Sequence, residues 1–280
     1  MLVFHAHCQM GNQMFIYACA RSLSKKRGIP YCLSSMNALT PFFELHPEDL
    51  NNKFKYNIFR IQNALPWSRY KFLHMQDNRH DYSDALLRER SARIWYYGYF
   101  QGIKYLYGNE NDIRTAFRIK KPIKESFLNY RNEAGLTGKY IAVHIRLRDY
   151  RTFGPDFLDG PDLTLPFSYY REVLKEQMSL NPGIPVVFLS DEIATVKKEF
   201  SDFQQASFSA QSPLTDFQLL SAASVAIISH SSFAWWAAFL NETGNQKVIV
   251  PQHFLGFRVK KEFPVNMILP EWEQHVVNFA

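Results

Sequence analysis

Leu2-Val3-Phe4-His5-Ala6 is a short, mainly apolar run, Gly11-Asn12-Gln13 turns the chain, and residues 14–23 then repeat apolar side chains at helical spacing until Lys25-Lys26-Arg27-Gly28. Strand, tight turn, helix and glycine stop lead into a second apolar triplet, Tyr31-Cys32-Leu33. The first ~35 residues therefore read as a βαβ unit of ordinary size. A helical crossover is what joins parallel neighbours, whereas antiparallel ones need only a hairpin. The opening of the chain thus sets a parallel α/β expectation.

Outward from that unit, residues 40–93 show no clear period, being rich in aromatics and charge and interrupted by Pro41, Pro47 and Pro66. Residues 94–100 read as a strand, and 109–117 and 123–133 as helices. The pattern then breaks at Ala134-Gly135-Leu136-Thr137-Gly138, which divides the chain into domains 1–135 and 136–280. Beyond it come strands at 140–145, 185–189, 225–229 and 247–250, with helices at 167–178, 193–200, 214–223 and 233–240. Strands alternating with helices of this length predict doubly wound parallel sheets that bind ligands at the carboxyl ends of their strands.

Composition narrows the function. Hydrophobic residues make up 46% and aromatics 16% of 280 residues, enough for a packed enzyme or binding protein rather than a disordered chain. The formal charge of +6 suits an anionic ligand or an acidic membrane surface and does not choose between them. Nucleic acid is not expected as a partner, because no concentrated basic helix, zinc-finger spacing or aromatic RNA-binding signature occurs. Cys8, Cys19 and Cys32 are odd in number and make a poor disulfide framework, so a reducing compartment is expected. The run after Met1 is too short for a signal-peptide core, and no apolar span reaches about 18 residues. The expectation is a soluble cytoplasmic protein, with peripheral contact at the inner membrane left open.

Three strand exits carry groups suited to chemistry. In Tyr140-Ile141-Ala142-Val143-His144-Ile145 nearly every residue but the histidine is apolar or small, as in a strand covered on both faces, and Arg146 and Asp149 follow its end. An arginine there offers a planar fork of donors that suits phosphate oxygens, with Asp149 to orient it and His144 to donate to a base or phosphate. An Arg-Asp surface pair beside a core histidine is the competing reading. Val225-Ala226-Ile227-Ile228 runs into Ser229-His230-Ser231-Ser232, where either of the last two serines is a natural cap for a helix starting near Phe233. Such a helix start also binds anions, while Trp235 and Trp236 read as core. Residues 185–189 deliver Ser190-Asp191-Glu192, a carboxylate for a guanine edge or ribose, or a helix cap. The chain lacks Gly-x-Gly-x-x-Gly, a Walker loop and Asp-x-Asp, and His5 with His7 reads as packing rather than metal ligation, so no metal site and no cofactor are expected.

Taken together these residues resemble the family 11 glycosyltransferases, the alpha-1,2-fucosyltransferases. Gly11-Asn12-Gln13-Met14-Phe15-Ile16-Tyr17-Ala18 is similar to that family's opening block, and His144-Ile145-Arg146-x-x-Asp149-Tyr150 to its His-x-Arg-x-x-Asp block. Leu219-Leu220-Ser221, Ser231-Ser232-Phe233 and residues 234–241 follow the family order, with weaker echoes at Gly98-Tyr99-Phe100-Gln101 and Phe188-Leu189-Ser190-Asp191. The chain departs from the pattern at Leu147-Arg148, where the family has Arg-Gly, at Cys8-Gln9, which replace a glycine pair, and at His230, often Asn.

The resemblance implies two Rossmann-like domains facing a cleft, a GT-B-like arrangement, with domain 1–135 on the acceptor side and domain 136–280 binding GDP-fucose. It implies inverting, metal-independent transfer of L-fucose to the 2-hydroxyl of a terminal galactoside on a glycan. Arg146 would hold the β-phosphate of the leaving GDP. Ser231, Ser232 and the helix start at Phe233 would hold phosphate oxygens, and Asp191 and His144 would lie near the guanosine. Asn12, with Gly11 beside it in the first turn, would face the phosphate and the sugar. The base that takes the acceptor proton is open among Asp149, Asp156 and Asp159, with Asp149 counted among the catalytic residues together with Arg146 and Asn12. The aromatics Trp67, Tyr70, Trp95, Tyr96 and Tyr97 read mostly as core. A non-catalytic GDP-sugar or glycan-binding protein, and a transferase of another nucleotide sugar, are the alternatives.

Overall fold

The computed structural model describes residues 1–241 and 244–279. The chain forms two compact units, Met1–Ile123 with Pro264–Met267, and Lys124–Phe263 with Ile268–Ala280. The division lies ahead of the glycine-containing break at 134–138, because the helix before that break is tied to the strand after it. Arg131 Nε donates to the Leu136 carbonyl at 2.6 Å, and its guanidinium lies 5.6 Å from the Tyr140 ring. The late return to the first unit is held by backbone bonds, Val265 N–H to Asn78 O at 3.2 Å and Ile103 N–H to Asn266 O at 3.1 Å. Gly102 permits it: with φ at +124°, a Cβ there would stand 3.0 Å from the Asn266 carbonyl oxygen.

The first unit contains β1 (Leu2–Phe4), α1 (Met10–Arg27), β2 (Tyr31–Leu33), α2 (Asn52–Ala64), β3 (Lys71–Met75), α3 (Ser83–Arg88), β4 (Ile94–Gly98) and α4 (Glu110–Ala116). Its sheet has the order β2-β1-β4-β3, with every pairing parallel. The opening βαβ unit is present, but α1 begins four residues before the expected 14. The chain reverses at Cys8, whose φ is +61°, and Gln9 caps the helix in an extended conformation. The Gln13 side chain then donates to the Cys8 carbonyl at 2.9 Å, so Gly11-Asn12-Gln13 lie inside the first helical turn.

The second unit continues with α5 (Lys121–Glu133), β5 (Ile141–Ile145), α6 (Phe167–Leu180), β6 (Val186–Ser190), α7 (Ile193–Glu199), β7 (Ala206–Phe208), α8 (Pro213–Ala222), β8 (Val225–Ile227), α9 (Ser232–Phe239), β9 (Lys247–Pro251) and β10 (Glu273–His275). The order β10-β9-β8-β5-β6-β7, parallel throughout, is that of a doubly wound sheet starting at β5. All five β5 residues are buried. Ile141, Val143 and Ile145 join Tyr169, Val173 and Phe188 in one core cluster, while His144 turns the other way to stack on Phe233 of α9. Trp235 and Trp236 are fully buried, as their apolar setting predicts. Trp67 is the exception among the aromatics read as core, at 80% exposure. Among the described residues no helix is long and apolar enough to cross a membrane.

Phe188 is fully buried, 5.1 Å from the Phe208 ring and 4.7 Å from that of Phe200. Phe188→Ala should cost about 3 to 5 kcal/mol, a cavity in a packed core. Urea unfolding followed by circular dichroism measures it as a drop in midpoint at unchanged slope.

Candidate functional site

In the second unit β5 and β8 lie side by side, pairing Ile141 with Val225 and Val143 with Ile227, while the chain leaves them toward opposite halves of the sheet. Such a switch of direction opens a crevice beyond the carboxyl ends of the two strands. Arg146 and Leu147 follow β5 at this point, Ser229 to Ser232 follow β8, and Asp191 follows β6.

The Arg146 side chain is 20% exposed, and a guanidinium cannot shed its charge by losing a proton. Two carboxylates balance it. Asp149 Oδ1 lies 2.7 Å from Nη2, and Asp191 Oδ2 lies 3.3 Å from Nε. Asp191 is the fixed partner: it is 12% exposed and its Oδ1 accepts the Leu147 backbone N–H at 3.0 Å. Asp149 is 53% exposed, so water can replace it far more cheaply. The Tyr150 ring stands 5.6 Å from the guanidinium carbon. Asp191 thus buttresses the fork from within the protein. Asp156 and Asp159 are exposed.

Behind the arginine sits an uncharged layer. His144 Nδ1 and Ser229 Oγ are 2.9 Å apart, and the imidazole stacks on Phe233 at 5.5 Å. Burial, then the Arg146 charge, pushes the His144 pKa down to about 3. His230 is sandwiched between the rings of Tyr150 at 5.0 Å and Phe257 at 5.5 Å, and burial lowers its pKa to about 4. The Tyr150 hydroxyl donates to the His230 carbonyl at 3.3 Å, so this sandwich ties the arginine loop to the turn ahead of α9. There Ser231, not Ser232, is the cap: its Oγ accepts the Phe233 N–H at 3.3 Å. Ser232 opens the helix, where leading N–H groups lack partners within the helix and carry partial positive charge. His144, Arg146, Asp149, Asp191, Ser231, Ser232 and Phe233 therefore all belong to one strand-end cluster. It joins a cation to a helix start, a setting for a phosphate-bearing anion.

Gly11 and Asn12 belong to the first unit, at its own switch point between β1 and β4. Gly11 is buried in the first turn of α1. Asn12 Oδ1 accepts from Gln101 Nε2 at 2.9 Å, and Gln101 Oε1 accepts from Asn78 Nδ2 at 3.0 Å. With its oxygen occupied, Asn12 is left with its amide N–H groups to donate. The weak sequence echo at Gly98 to Gln101 thereby acquires a physical role.

The same strand ends hold a cluster that sequence reasoning set aside as packing. His5 and His7 stack on Tyr97 at 5.1 and 4.8 Å, Tyr99 meets His7 edge-on at 4.8 Å, and His74 lies 5.2 Å from Tyr97. His7 Nδ1 is 3.0 Å from the His5 carbonyl oxygen, which can only accept. Nδ1 therefore carries the proton and Nε2 a lone pair, and among the described residues Nε2 has no hydrogen-bond partner. Burial lowers the pKa of both imidazoles and keeps them neutral at pH 7. The available signal was the His-x-His pair directly past a parallel strand. Among the described residues, no group of three or more His, Cys, Asp or Glu side chains is placed to hold a metal ion.

Two Rossmann-like parallel units, the second with a guanidinium and a helix start at its switch point, place the chain in the GT-B-like fold class. The sequence profile of glycosyl transferase family 11 matches residues 2–274, and the chain belongs to that family. It is 25% identical to the galactoside 2-alpha-L-fucosyltransferase SEC1 of Bos taurus over 96% of this chain and 72% of that one. It is 20% identical to the O-antigen biosynthesis glycosyltransferase WbnK of Escherichia coli over 61% of this chain and 58% of that protein. Among solved structures, the fucosyltransferase NodZ from Bradyrhizobium superposes with a TM-score of 0.54 at 13% identity, over 84% of this chain and 91% of NodZ. POFUT1 in complex with GDP-fucose gives 0.56 at 12% identity, over 89% and 96%.

The buried imidazoles of His230 and His144 make stability depend on pH. The unfolded chain takes up protons on them as pH falls below about 6.5, their ordinary value, while the folded protein refuses them down to about 4 and about 3. Their contribution is thus complete above pH 6.5 and is lost as the solution is acidified. Melting temperature should fall steadily from pH 6.5 to 4, and His230→Asn should make that slope shallower. Equal slopes in the two proteins would remove His230 from the account.

Proposed function

We propose that this enzyme transfers L-fucose from GDP-fucose to the 2-hydroxyl of a terminal galactoside on a glycan, with inversion and without an essential metal ion. The observation that carries the reading is the Arg146 fork, buttressed by Asp191 and set beside the start of α9 at the switch point of the second unit. Family membership supports glycosyl transfer. The name of the bovine relative supports the galactoside and the linkage, and the POFUT1 complex supports the donor.

In the proposed reaction the bond from the anomeric carbon to the β-phosphate oxygen of GDP breaks, and its electron pair stays on the diphosphate. The sugar takes on positive character, and the acceptor oxygen bonds the anomeric carbon from the opposite face as its proton leaves. Negative charge grows on the leaving oxygen, where Arg146 and the N–H groups at Ser232 and Phe233 supply fixed donors that need no reorganisation. A diphosphate on the fork competes with Asp149 for Nη2, and the displaced carboxylate is assigned to take the acceptor proton. The neutral His144 and Ser229 are assigned to the guanosine side, and the amide of Asn12, with Gly11, to a substrate oxygen. The His5-His7-Tyr97-Tyr99 wall supports an acceptor role for the first unit: its rings suit the apolar face of a pyranose, and His7 Nε2 suits a hydroxyl donor. The three free cysteines, two of them buried, support a reducing, cytoplasmic setting.

Supplying GDP-fucose with a β-galactoside should release GDP at a rate unchanged by EDTA, with a 2-linked fucoside as product by NMR. Arg146→Ala should lower that rate by about 10² to 10³, as for loss of one preorganised donor, and Arg146→Lys should not restore it because the fork geometry is gone. GDP binding without release in the wild type would replace this reading with a non-catalytic one, and turnover of a different GDP-sugar alone would replace the donor.

A further inference from the structure

The outer face of α2 is apolar where a surface helix is ordinarily polar. Its inner face is docked: Asn52 exchanges two hydrogen bonds with the Leu33 backbone at 2.8 and 3.0 Å, and Phe59, 3% exposed, packs on Tyr70 and Trp95. On the opposite side Phe54, Ile58, Ile61 and Leu65 follow one another at helical spacing. Phe54 is 66% and Ile61 67% exposed, and Trp67, in the turn directly after the helix, is 80% exposed. Scattered exposed apolar residues are ordinary, but an aligned stripe ending in a tryptophan marks an interaction surface.

Charge identifies the occupant. Residues 51–76 hold Lys53, Lys55, Arg60, Arg69 and Lys71 and no Asp or Glu, in a chain whose whole formal charge is +6. Lys71 pairs with Glu89. Among the described residues Lys53, Arg60 and Arg69 are exposed and make no ion pair. Lys53 and Arg60 flank the stripe along one side, so their stems can lie along an apolar layer while their charges reach a polar one, whereas Lys55 on the other side is held by the Glu48 carbonyl at 3.0 Å. An apolar stripe bordered by cations, with an indole at its end, matches the boundary between the headgroups and acyl chains of an anionic bilayer. A second copy of this chain would instead bring these cations against one another across a two-fold axis.

We infer that the outer face of α2, continued by Trp67, docks on an anionic phospholipid surface. The inference is independent of the transferase reading, since none of these side chains belongs to the strand-end clusters.

Cosedimentation of the full chain with vesicles tests it. The protein should bind equimolar phosphatidylcholine and phosphatidylglycerol at low salt, release at high salt, and ignore phosphatidylcholine alone. Binding should shift tryptophan emission to the blue, and Trp67→Phe should remove that shift. The combined substitution Phe54→Ser, Ile61→Ser and Trp67→Ser, and separately Lys53→Glu with Arg60→Glu, should each weaken partitioning by at least about tenfold. Neither set touches the docked face, so unchanged melting temperature and unchanged GDP release with a soluble galactoside would show that folding and the active site are intact. Wild-type binding by the serine variant, or salt-insensitive binding to neutral vesicles, overturns the inference. Self-association abolished by the serine substitutions, without vesicle binding, assigns the face to a second copy instead.

Discussion

A guanidinium that is four-fifths withdrawn from water must be answered by negative charge, and much of the second unit is arranged around that requirement at Arg146. Asp191, at the end of β6, supplies the permanent answer and also accepts the backbone N–H of Leu147, so one carboxylate binds the ends of two adjacent strands together. Asp149 supplies a second, exposed answer that an anionic ligand can displace. The two histidines behind it add no charge: burial keeps His144 and His230 neutral, which spares Arg146 two further positive groups.

Each unit places its polar groups where its strand order reverses. Between β5 and β8 the groups are a cation, hydroxyls and a helix start. Between β1 and β4 they are an oriented amide and a set of stacked imidazoles and phenols. The first set suits a diphosphate and the second suits hydroxyls and a sugar face, so one topological rule yields two chemically distinct surfaces.

Legibility followed burial. β5 and β8 could be read because strands covered on both faces are continuous apolar runs, and the polar residues that end them form the candidate site. The start of α1 was misplaced because Cys8 adopts a left-handed backbone that sequence would assign to glycine, which moves the turn ahead of Gly11. Residues 40–93 gave no period for a different reason. α2 buries Asn52 and Phe59 and turns Phe54, Ile61 and the capping Leu65 to solvent, so its apolar residues do not mark a core face. β3, an edge strand, alternates only weakly between exposed and half-buried positions.

Local chemistry written along the chain was enough to determine a parallel α/β protein, the strand exits that carry Arg146, Asp191 and Ser231, and the family. Those features depend on apolar runs, caps and short motifs, all set within a few residues. Tertiary structure alone decided that Asp191 faces Arg146, that Gln101 holds Asn12, that His5 and His7 stack on Tyr97, and that the second face of α2 meets solvent. Each of these is a contact, or the lack of one, between segments many residues apart, and only packing brings such segments together.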